Sequence, residues 1–529
     1  MNKIPFSIGQ APGVAIMPPN ADATFTNATG NSSVFAGVVV AKRGKPNTVQ
    51  LVTPDTLQKV LGEPIHPHSG KHFEPYRHVY QALNGGNGYV VRVEPLGMKI
   101  PMLKMLMQRY SGKDPVPVLY ATNFSPNDEI NAASNSFFSI YVNDGDASLN
   151  RTLSIIPVKG NYGMYSLILK QVDNSGNYQS TLDTIQVSFD PEATDDMGQP
   201  AFLPIALENN THRLRAIAGK DIKLFERMHF DGFENESFSG GSDGDMNDIP
   251  HSAYLNAVSA LRASMVNYTA ILSLGCDNST GLSELAKLAN EVRVDMFYDL
   301  KPSSIPSSAI EEAKSHGFGD YAHICRYHFP YSCRDPFSGA QVVYGLSGDA
   351  FTAKAKGIAM VSDVGGYHLS PAGQSRGVLL RQNIKPLPAM ADIDHELYVA
   401  HGINTVGYAS DGSVMIDDAL TTYAKKNYFR FQHVNSTFNA IARLVYDIGN
   451  ALKHEPDGIT RRGLEREIPR LLDRFVASEA LVSPRNATDG TAPYVVTVTQ
   501  DEFDMWHVRY AACPTGVSRR IVAEPVLIP

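Results

Sequence analysis

Two helices joined by a short connection, between Asn435 and Leu481, constrain the fold of this chain most. The apolar residues of the first helix recur at steps of three and four and therefore share one face: Phe438, Ile441, Val445, Ile448 and Leu452. Asn435 or Ser436 is predicted to cap the start of this helix by accepting hydrogen bonds from free backbone N–H groups. Pro456 is predicted to end it, because proline has no N–H to donate.

The second helix has one apolar and one basic face. Its apolar stripe predicts a packed face: Leu464, Ile468, Leu471, Leu472 and Phe475. Its basic residues follow at a strict spacing of four: Arg462, Arg466, Arg470 and Arg474. Pro469 lies inside the pattern and predicts a kink or a restart of the helix. Three acidic residues could pair with the arginines and leave a solvated, salt-bridged face: Glu465, Glu467 and Asp473.

The length and charge of the chain argue against some classes of protein. At 529 residues and 57.7 kDa it exceeds what one hydrophobic core usually supports, so about two to four domains are expected. A net charge of −8 and a pI near 6.1 argue against a nucleic-acid-binding protein. The four cysteines form no CxxC pair, which indicates reduced thiols and synthesis in the cytoplasm.

The N-terminal part of the chain predicts an arm followed by short elements. The first residues lack the apolar core of a signal peptide, and the longest early apolar run is far too short to cross a bilayer, so neither secretion by that route nor membrane insertion is expected. Residues 1–33 are rich in Asn, Ala, Pro and Thr, which predicts an extended arm. The predicted elements that follow are a strand over 34–41, a strand over 48–52, a helix ending at Leu61, a helix over 76–83 and a strand over 89–93.

The segment from Phe137 to Ala218 is rich in short strands and turns. The predicted strands are 137–142, 153–158, 165–171, 184–188 and 201–207. Short strands at this spacing predict a separate small β domain. A domain of this kind fits any β-sandwich, carbohydrate-binding modules included.

Strands and helices alternate from Tyr268 to Tyr327, which predicts a parallel sheet with crossover helices. Nucleotide-binding folds share this pattern. However, the loop after the first strand carries a single glycine, Gly275, where pyrophosphate binding needs several for close backbone approach. The unit is therefore interpreted as structural.

Two stretches contain potential metal ligands. Four histidines occur near Pro64 and Pro67, which mark a loop, and solvated loop residues are the favoured interpretation: His66, His68, His72 and His78. The run Phe238–Asp248 is rich in glycine and aspartate. It lacks the closing Glu of a helix-loop-helix calcium site and the Gly-Lys-Ser/Thr of a phosphate loop. No metal and no cofactor are predicted.

Two further groups have the residue types of catalytic sites. His323 and Cys325 share a face of a predicted strand but lack a third, orienting group, so they are expected in the core. Asp392, Asp394 and His395 have no recognised spacing and are interpreted as a surface loop. An enzyme is therefore not expected.

The order of the motifs along the chain is more specific than any one of them. Asp335 and Pro336 begin a turn, Ser347 begins a helix, and a Pro-Ala motif follows. With the strand-turn-helix opening, a Gly-Gly-Ser-Asp-Gly run and the helix pair, this order resembles the tail sheath proteins of contractile bacteriophages from Val34 to Pro529. The chain departs from that family at Met415–Leu420, where the family commonly has a Trp-Gly-x-Arg-Thr-like run.

The resemblance implies a mixed α/β and α+β multidomain fold. It has a sheath core with an α/β sheet and the helix pair, an inserted small all-β domain, and extended N- and C-terminal arms. The implied divisions are an arm over 1–33, the N-terminal part of the core over 34–98, an outward-facing β-rich insertion over 99–236, an α/β domain over 237–400, a C-terminal core domain with the helix pair over 401–515 and a linking arm over 516–529.

The resemblance also implies a function. Such proteins polymerise as stacked hexameric rings around a tail tube and contract, by subunit repacking, to drive the tube through the host envelope for genome delivery. The implied partners are further copies of the chain, the tube protein, and baseplate and tail terminator proteins, all in the virion tail. The four arginines of the second helix would face the tube. The alternatives are a sheath of a secretion system or bacteriocin, a carbohydrate-binding tail protein and an α/β enzyme.

The end of the chain is apolar and β-branched: Ile521, Val522, Val526, Leu527 and Ile528. Burying each large aliphatic side chain is worth about 1.5–3 kcal/mol, so these residues are expected to be covered. Pro525 cannot donate to a β-ladder, which suits an edge or an added strand. The tail is therefore expected to pair with a sheet edge of a neighbouring subunit. The alternative is a tail that folds back on its own sheet.

Overall fold

The computed structural model describes most of the chain, namely residues 33–69, 71–109, 116–128, 130, 136–227, 230–388, 393–486, 488, 490–502 and 505–519. Within them the backbone forms two compact units. The first comprises the residues up to Ala36, His78–Gly88 and the chain from Val266 onward. The second comprises Gly37–Arg77 and Tyr89–Met265. The arm predicted over 1–33 lies outside the described residues except for Ser33.

The strands are short and occur along the whole described chain. In order they are β1 (Phe35–Val39), β2 (Val49–Val52), β3 (Gly88–Arg92), β4 (Ile100–Gln108), β5 (Val116–Phe124), β6 (Ser136–Val142), β7 (Arg151–Pro157), β8 (Met164–Val172), β9 (Tyr178–Ser188), β10 (Leu214–Ala218), β11 (Phe233–Ser237), β12 (Ala270–Leu272), β13 (Asp295–Asp299), β14 (Ile324–Tyr327), β15 (Tyr331–Arg334), β16 (Gln341–Val343), β17 (Lys385–Pro386), β18 (Ile403–Asn404), β19 (Val406–Tyr408), β20 (Val414–Ile416), β21 (Tyr494–Glu502) and β22 (Met505–Ala512).

The α-helices are α1 (Leu57–Leu61), α2 (Glu74–Ala82), α3 (Leu203–Asn210), α4 (His251–Ala263), α5 (Ser279–Glu291), α6 (Pro306–Ser315), α7 (Ser347–Ala359), α8 (His395–Ala400), α9 (Gln432–Leu452) and α10 (Asp457–Ala477). Short 3₁₀ turns occupy Ile222–Arg227, Phe318–Asp320 and Tyr428–Arg430. The predicted opening order of strand, strand, helix, helix and strand is confirmed by β1, β2, α1, α2 and β3.

A parallel sheet forms the centre of the first unit, with strand order β18-β14-β13-β12-β1. Ala270 of β12 pairs with Asp295 of β13, and Met296 pairs with Ile324 of β14. α5 and α6 connect these strands in the chain, so the predicted parallel unit with crossover helices is confirmed. All residues of β12 and β14 are buried, as expected for parallel strands covered on both faces.

In the second unit the inserted region contains two four-stranded antiparallel sheets, in the orders β10-β6-β4-β5 and β11-β7-β8-β9. Both contribute to one hydrophobic core, in which the Phe138 and Phe189 rings are stacked 5.3 Å apart. Because successive residues of a strand point to opposite faces of its sheet, each sheet turns one face toward this core. β4 and β5 were not among the predicted strands, although they lie in the predicted insertion.

The strand predicted over 201–207 is wrong, because these residues enter the helix α3. The apolar residues Leu203, Ala206 and Leu207 are buried at helical rather than alternating spacing. Pro204 occupies the first turn, where its missing N–H leaves no helical hydrogen bond unmade. The inserted region is therefore mixed rather than all-β.

A buried ion pair stabilises the first unit at the start of α7. Arg381 Nε donates to Asp349 Oδ2 at 3.1 Å, and its Nη1 donates to Tyr344 O at 3.0 Å. The guanidinium carbon also lies 3.8 Å from the centre of the Tyr344 ring. The two charged side chains are 1% and 7% exposed. Removing either charge would leave the other buried without compensation.

Replacing Arg381 with Met should therefore lower the free energy of unfolding by about 3–5 kcal/mol. The control is Arg334→Met, on the exposed end of β15, which should change it by less than about 0.5 kcal/mol. Urea denaturation followed by circular dichroism measures both variants. Equal losses of stability in the two variants would contradict the compensated ion pair.

Candidate assembly surface

The helix pair predicted from the sequence is present, with α9 and α10 sharing one hydrophobic cluster. This cluster includes Ile441 of α9 and the apolar stripe of α10: Leu464, Ile468, Leu471, Leu472 and Phe475. Gly463 lies against the end of α9, where an added Cβ would come within 2.6 Å of Leu452. The close approach brings the two helices together near their connection.

The predicted start of the first helix is wrong. α9 begins at Gln432, so Asn435 and Ser436 lie inside it rather than at its cap. Their side chains instead contact Asp295 at the start of β13. Ser436 Oγ donates to its carboxylate, and Asn435 Nδ2 lies 3.4 Å from Oδ1. These side chains therefore donate to a carboxylate far away in the sequence instead of accepting from backbone N–H groups as caps would.

α10 does not restart at Pro469, as the sequence had suggested it could, but is one continuous helix from Asp457 to Ala477. A proline inside a helix removes one backbone donor. The carbonyl of Pro469 accepts a hydrogen bond from the Tyr494 hydroxyl at 3.2 Å, and the same hydroxyl lies 2.6 Å from Asp473 Oδ1. These contacts attach the following hairpin to the middle of α10.

The hairpin β21–β22 packs on this helix pair and was not predicted. Its inner face joins the same hydrophobic cluster through alternate residues: Tyr494, Val496, Val498, Trp506, Val508, Tyr510 and Ala512. This alternation was visible in the sequence and is typical of a half-buried strand. In the part of the chain that the structure describes, β21 and β22 form a sheet of two strands and no third strand pairs with them.

All four arginines predicted to face a tube are exposed on the outer side of α10. Arg466 and Arg470, each 71% exposed, share Glu467, with Nε of Arg466 at 2.7 Å from Oε1 and Nη1 of Arg470 at 3.6 Å from Oε2. The hydrogen bond from Arg466 is the main cause that lowers the pKa of Glu467. Arg462 Nε donates to the carbonyl of Gly458 at 2.8 Å.

Arg474 differs from the other three, because its partner lies on another element. Its Nε donates to Asp363 Oδ2 at 2.7 Å, and this hydrogen bond lowers the pKa of Asp363. Of the acidic residues considered from the sequence, Glu467 pairs with the stripe, whereas Glu465 pairs with Arg461 and Asp473 with Tyr494. The face is therefore partly neutralised, with exposed guanidinium groups remaining at its surface.

A cavity of about 540 Å³ lies at the base of the hairpin. Its walls include the apolar residues Phe431, Val434, Pro484, Val495 and Val517. His433 also lines it, and burial lowers the pKa of this imidazole to about 4, so the side chain is neutral near pH 7. The cavity is assembled from three separate stretches of chain, which is why no local pattern predicted it.

The chain approaches its end beside this cavity. Arg519 Nε donates to Asp418 Oδ1 at 3.0 Å, and its guanidinium carbon lies 5.4 Å from the centre of the Phe431 ring. The residues predicted to form the linking arm lie outside the described residues: Ile521, Val522, Val526, Leu527 and Ile528.

The other candidates from the sequence lie apart from this surface. His323 and Cys325 are buried, with His323 Nε2 3.1 Å from Ala286 O, and burial raises the pKa of Cys325 well above its usual value. The loop interpretation is wrong for His395, which begins α8 and lies 3.8 Å from Asp417, while Asp394 caps this helix by accepting from Leu397 N. Asp392 lies outside the described residues.

The metal-binding interpretations gain no geometric support. The His66 and His68 rings lie 5.3 Å apart. The solvated-loop interpretation is wrong for His78, which is buried within α2 beside Asp299. No group of three or more His, Cys, Asp or Glu residues that could hold a metal ion occurs within the described ranges. Across the same ranges, each helix is too short or too polar to cross a membrane.

The packing of the hairpin predicts that substitutions at two neighbouring residues of β22 differ in their effect on stability. Val508→Asp places a carboxylate in the hydrophobic cluster, which should cost roughly 1–3 kcal/mol or more and loosen the hairpin. Arg509→Asp, on the exposed outer face, is the matched control. The single tryptophan of the chain, Trp506, reports on the hairpin, so its fluorescence should shift to the red in the first variant only. Unchanged emission from Val508→Asp would show that the inner face does not hold the hairpin.

Comparison with known proteins identifies the fold. No protein-family model matches this sequence, and no curated protein matches it. The sheath tail protein of Listeria innocua superposes on 93% of this chain and 98% of its own, with a TM-score of 0.51 and 12% sequence identity. The helical sheath of the anti-feeding prophage in its contracted state covers 98% and 99%, at 12% identity and a TM-score of 0.48.

At 12% identity a structural likeness establishes the fold alone, and the likeness to the Listeria innocua protein is the one that carries this conclusion. It extends over nearly the whole of both chains, the inserted region included. The resemblance seen in the sequence is therefore confirmed at the level of the fold, and this chain has the fold of a tail sheath protein.

Proposed function

We propose that this chain is a structural sheath subunit. It polymerises as stacked hexameric rings around a tail tube and contracts to drive the tube through a host envelope. The observation that carries the proposal is the sheath fold over 93% of the chain. The partners are further copies of the chain, the tube protein, and baseplate and tail terminator proteins, and the assembled site of action is the phage tail.

Contraction of this kind needs a subunit with two packings and no catalytic centre. Free energy is stored in the contacts between subunits of the extended form and released when the rings rotate. The first unit suits such a role, because the Arg381–Asp349 ion pair and the thiols of Cys276, Cys325 and Cys333 are buried and support packing. The surfaces proposed for contacts with other proteins are the exposed face of α10 and the hairpin β21–β22.

The arginine stripe of α10 is the proposed contact with the tube. All four side chains project from the side of α10 opposite its hydrophobic cluster, and Arg466 and Arg470 are 71% exposed. Two cations share one carboxylate there, so the face keeps a positive excess that an acidic tube surface would complement. Exposed charges are screened beyond about 8 Å at physiological salt, so this attachment should weaken as salt rises.

Reversal of the stripe tests this contact: Arg462, Arg466, Arg470 and Arg474 are each changed to Glu. The variant should still polymerise but enclose no tube, because the two surfaces would then repel each other. The matched control reverses four exposed cations of the same unit that lie off the stripe: Lys287, Lys314, Arg334 and Lys356. Co-assembly with tube protein, scored by electron microscopy at low and moderate salt, measures the effect. A stripe variant that encloses tubes like the control would exclude the contact.

The tail is the proposed link between subunits. Residues 520–529 would leave the subunit near Phe431 and add a strand to the hairpin of a neighbouring copy, with Met1–Ser33 as the N-terminal counterpart. Backbone hydrogen bonds to an open strand edge give affinity, and alternate side chains occupy pockets. The cavity at the base of the hairpin, about 540 Å³ with apolar walls, offers such a pocket. Arg519, paired with Asp418, holds the start of the tail in place.

Deletion of residues 520–529 tests the link and keeps the Arg519 anchor. The truncated chain should stay folded but sediment as a monomer where the parent polymerises. Deletion from Ser518 onward should have the same effect on assembly. The control replaces residues 520–529 with an equal length of glycine and serine, which keeps the tail but removes its apolar side chains; it should also fail to polymerise. Normal polymers from the truncated chain and from the glycine-serine chain would exclude the tail as a link between subunits. Global unfolding of the truncated chain would favour a tail folded on its own subunit.

A further inference from the structure

A cavity of about 360 Å³ opens in the second unit. The loop between β1 and β2 forms one wall with Lys45, Pro46 and Thr48. The sheet β10-β6-β4-β5 forms the other wall, mostly with apolar side chains: Ile100, Phe124, Tyr141, Val142 and Ile217. Pockets that take small molecules have about this volume, and they combine apolar walls with a few polar groups.

Lys45 lines this cavity, and Arg215 lies next to one of the strands that form its wall. The Lys45 ammonium makes no hydrogen bond within the described ranges, although its backbone N–H donates to Gln50 Oε1. Arg215 lies opposite Tyr141 in the sheet and donates only to backbone carbonyls, among them Thr211 O at 2.7 Å. Burial, followed by the nearby Arg215, lowers the pKa of Lys45, and the more weakly acting Asp144 offsets part of this change.

The acidic residues nearby already accept hydrogen bonds, two of them from arginines. Asp146 accepts from Arg43 Nε at 3.1 Å, and Asp144 accepts from Arg151 Nη1 at 2.9 Å. Asp128, also in the cavity wall, accepts from the backbone N–H of Ser125. None of these hydrogen bonds involves the Lys45 ammonium, so an anionic ligand can pair with it.

The loop that carries Lys45 is held firmly. The fully buried Arg92 donates to the carbonyls of Ala41, Gly44 and Gly145 at 2.9–3.2 Å. Gly44 and Gly145 pack so closely that a Cβ on Gly145 would come within 2.2 Å of the Gly44 carbonyl carbon. A ligand meeting Lys45 would therefore find a preformed site, which lowers the entropic cost of binding.

We propose that this cavity binds a small organic anion with an apolar body, such as an aromatic carboxylate. Its carboxylate pairs with the Lys45 ammonium, and the hydroxyl of Tyr141, which has no hydrogen-bond partner among the described residues, donates to it. The ring packs against Phe124, Ile100 and Ile217. The site is independent of the proposed sheath function, because none of these residues lies on α10 or the hairpin.

Isothermal titration of the full chain with 1-naphthoate tests this site. The parent should bind in a saturable, one-to-one manner. Lys45→Gln should bind at least about tenfold more weakly, because a charge-assisted hydrogen bond is lost, whereas Lys45→Arg should stay within a few-fold of the parent. The control Lys159→Gln, on an exposed loop of the same unit, should bind like the parent.

The neutral analogue 1-naphthamide separates charge recognition from simple apolar binding. It should bind weakly and equally to the parent and to Lys45→Gln. The proposal is overturned if 1-naphthoate binds Lys45→Gln as tightly as the parent, or if Lys159→Gln loses as much affinity as Lys45→Gln. It is also overturned if a parent that melts cooperatively shows no saturable binding.

Discussion

The hydrophobic contact among α9, α10 and the hairpin β21–β22 determines what this chain displays to its surroundings. Ile468, Leu472 and Phe475 of α10 are fully buried in it, and each such side chain contributes about 1.5–3 kcal/mol. Because one side of α10 is used in this way, the arginines on the other side must face outward. The same contact holds one face of the hairpin, which is a two-stranded sheet among the described residues.

A second contact connects the helix pair and its hairpin to the parallel sheet of the first unit. Asp295 at the start of β13 accepts from Ser436 and lies beside Asn435, so the first turns of α9 are tied to the centre of the first unit. A buried carboxylate is tolerated only where hydrogen bonds compensate for its lost hydration. In a contracting assembly this connection would transmit a change at the helix pair to the rest of the unit, since packed elements shift as bodies rather than deform continuously.

Regular patterns predicted a large part of this architecture. The stripes of α10 and the alternation from β12 to β14 follow from periodicity, so local sequence was sufficient. The start of α9 was mispredicted because its polar residues bind Asp295, about 140 positions away. α3 was taken for a strand although Leu203, Ala206 and Leu207 have helical spacing. The cavity beside Lys45 joins a loop to four strands, and no local signal marks such a site. The roles of the arginine stripe and of the tail stay predictions.

Polymerisation without a catalytic centre is the central claim, and imaging of the purified protein tests it most directly. Negative-stain electron microscopy of the full chain over a range of concentrations should show hollow tubes built of stacked rings with six-fold symmetry. Particles that remain single subunits at every concentration, under conditions where the chain is folded, would contradict a sheath function for this fold.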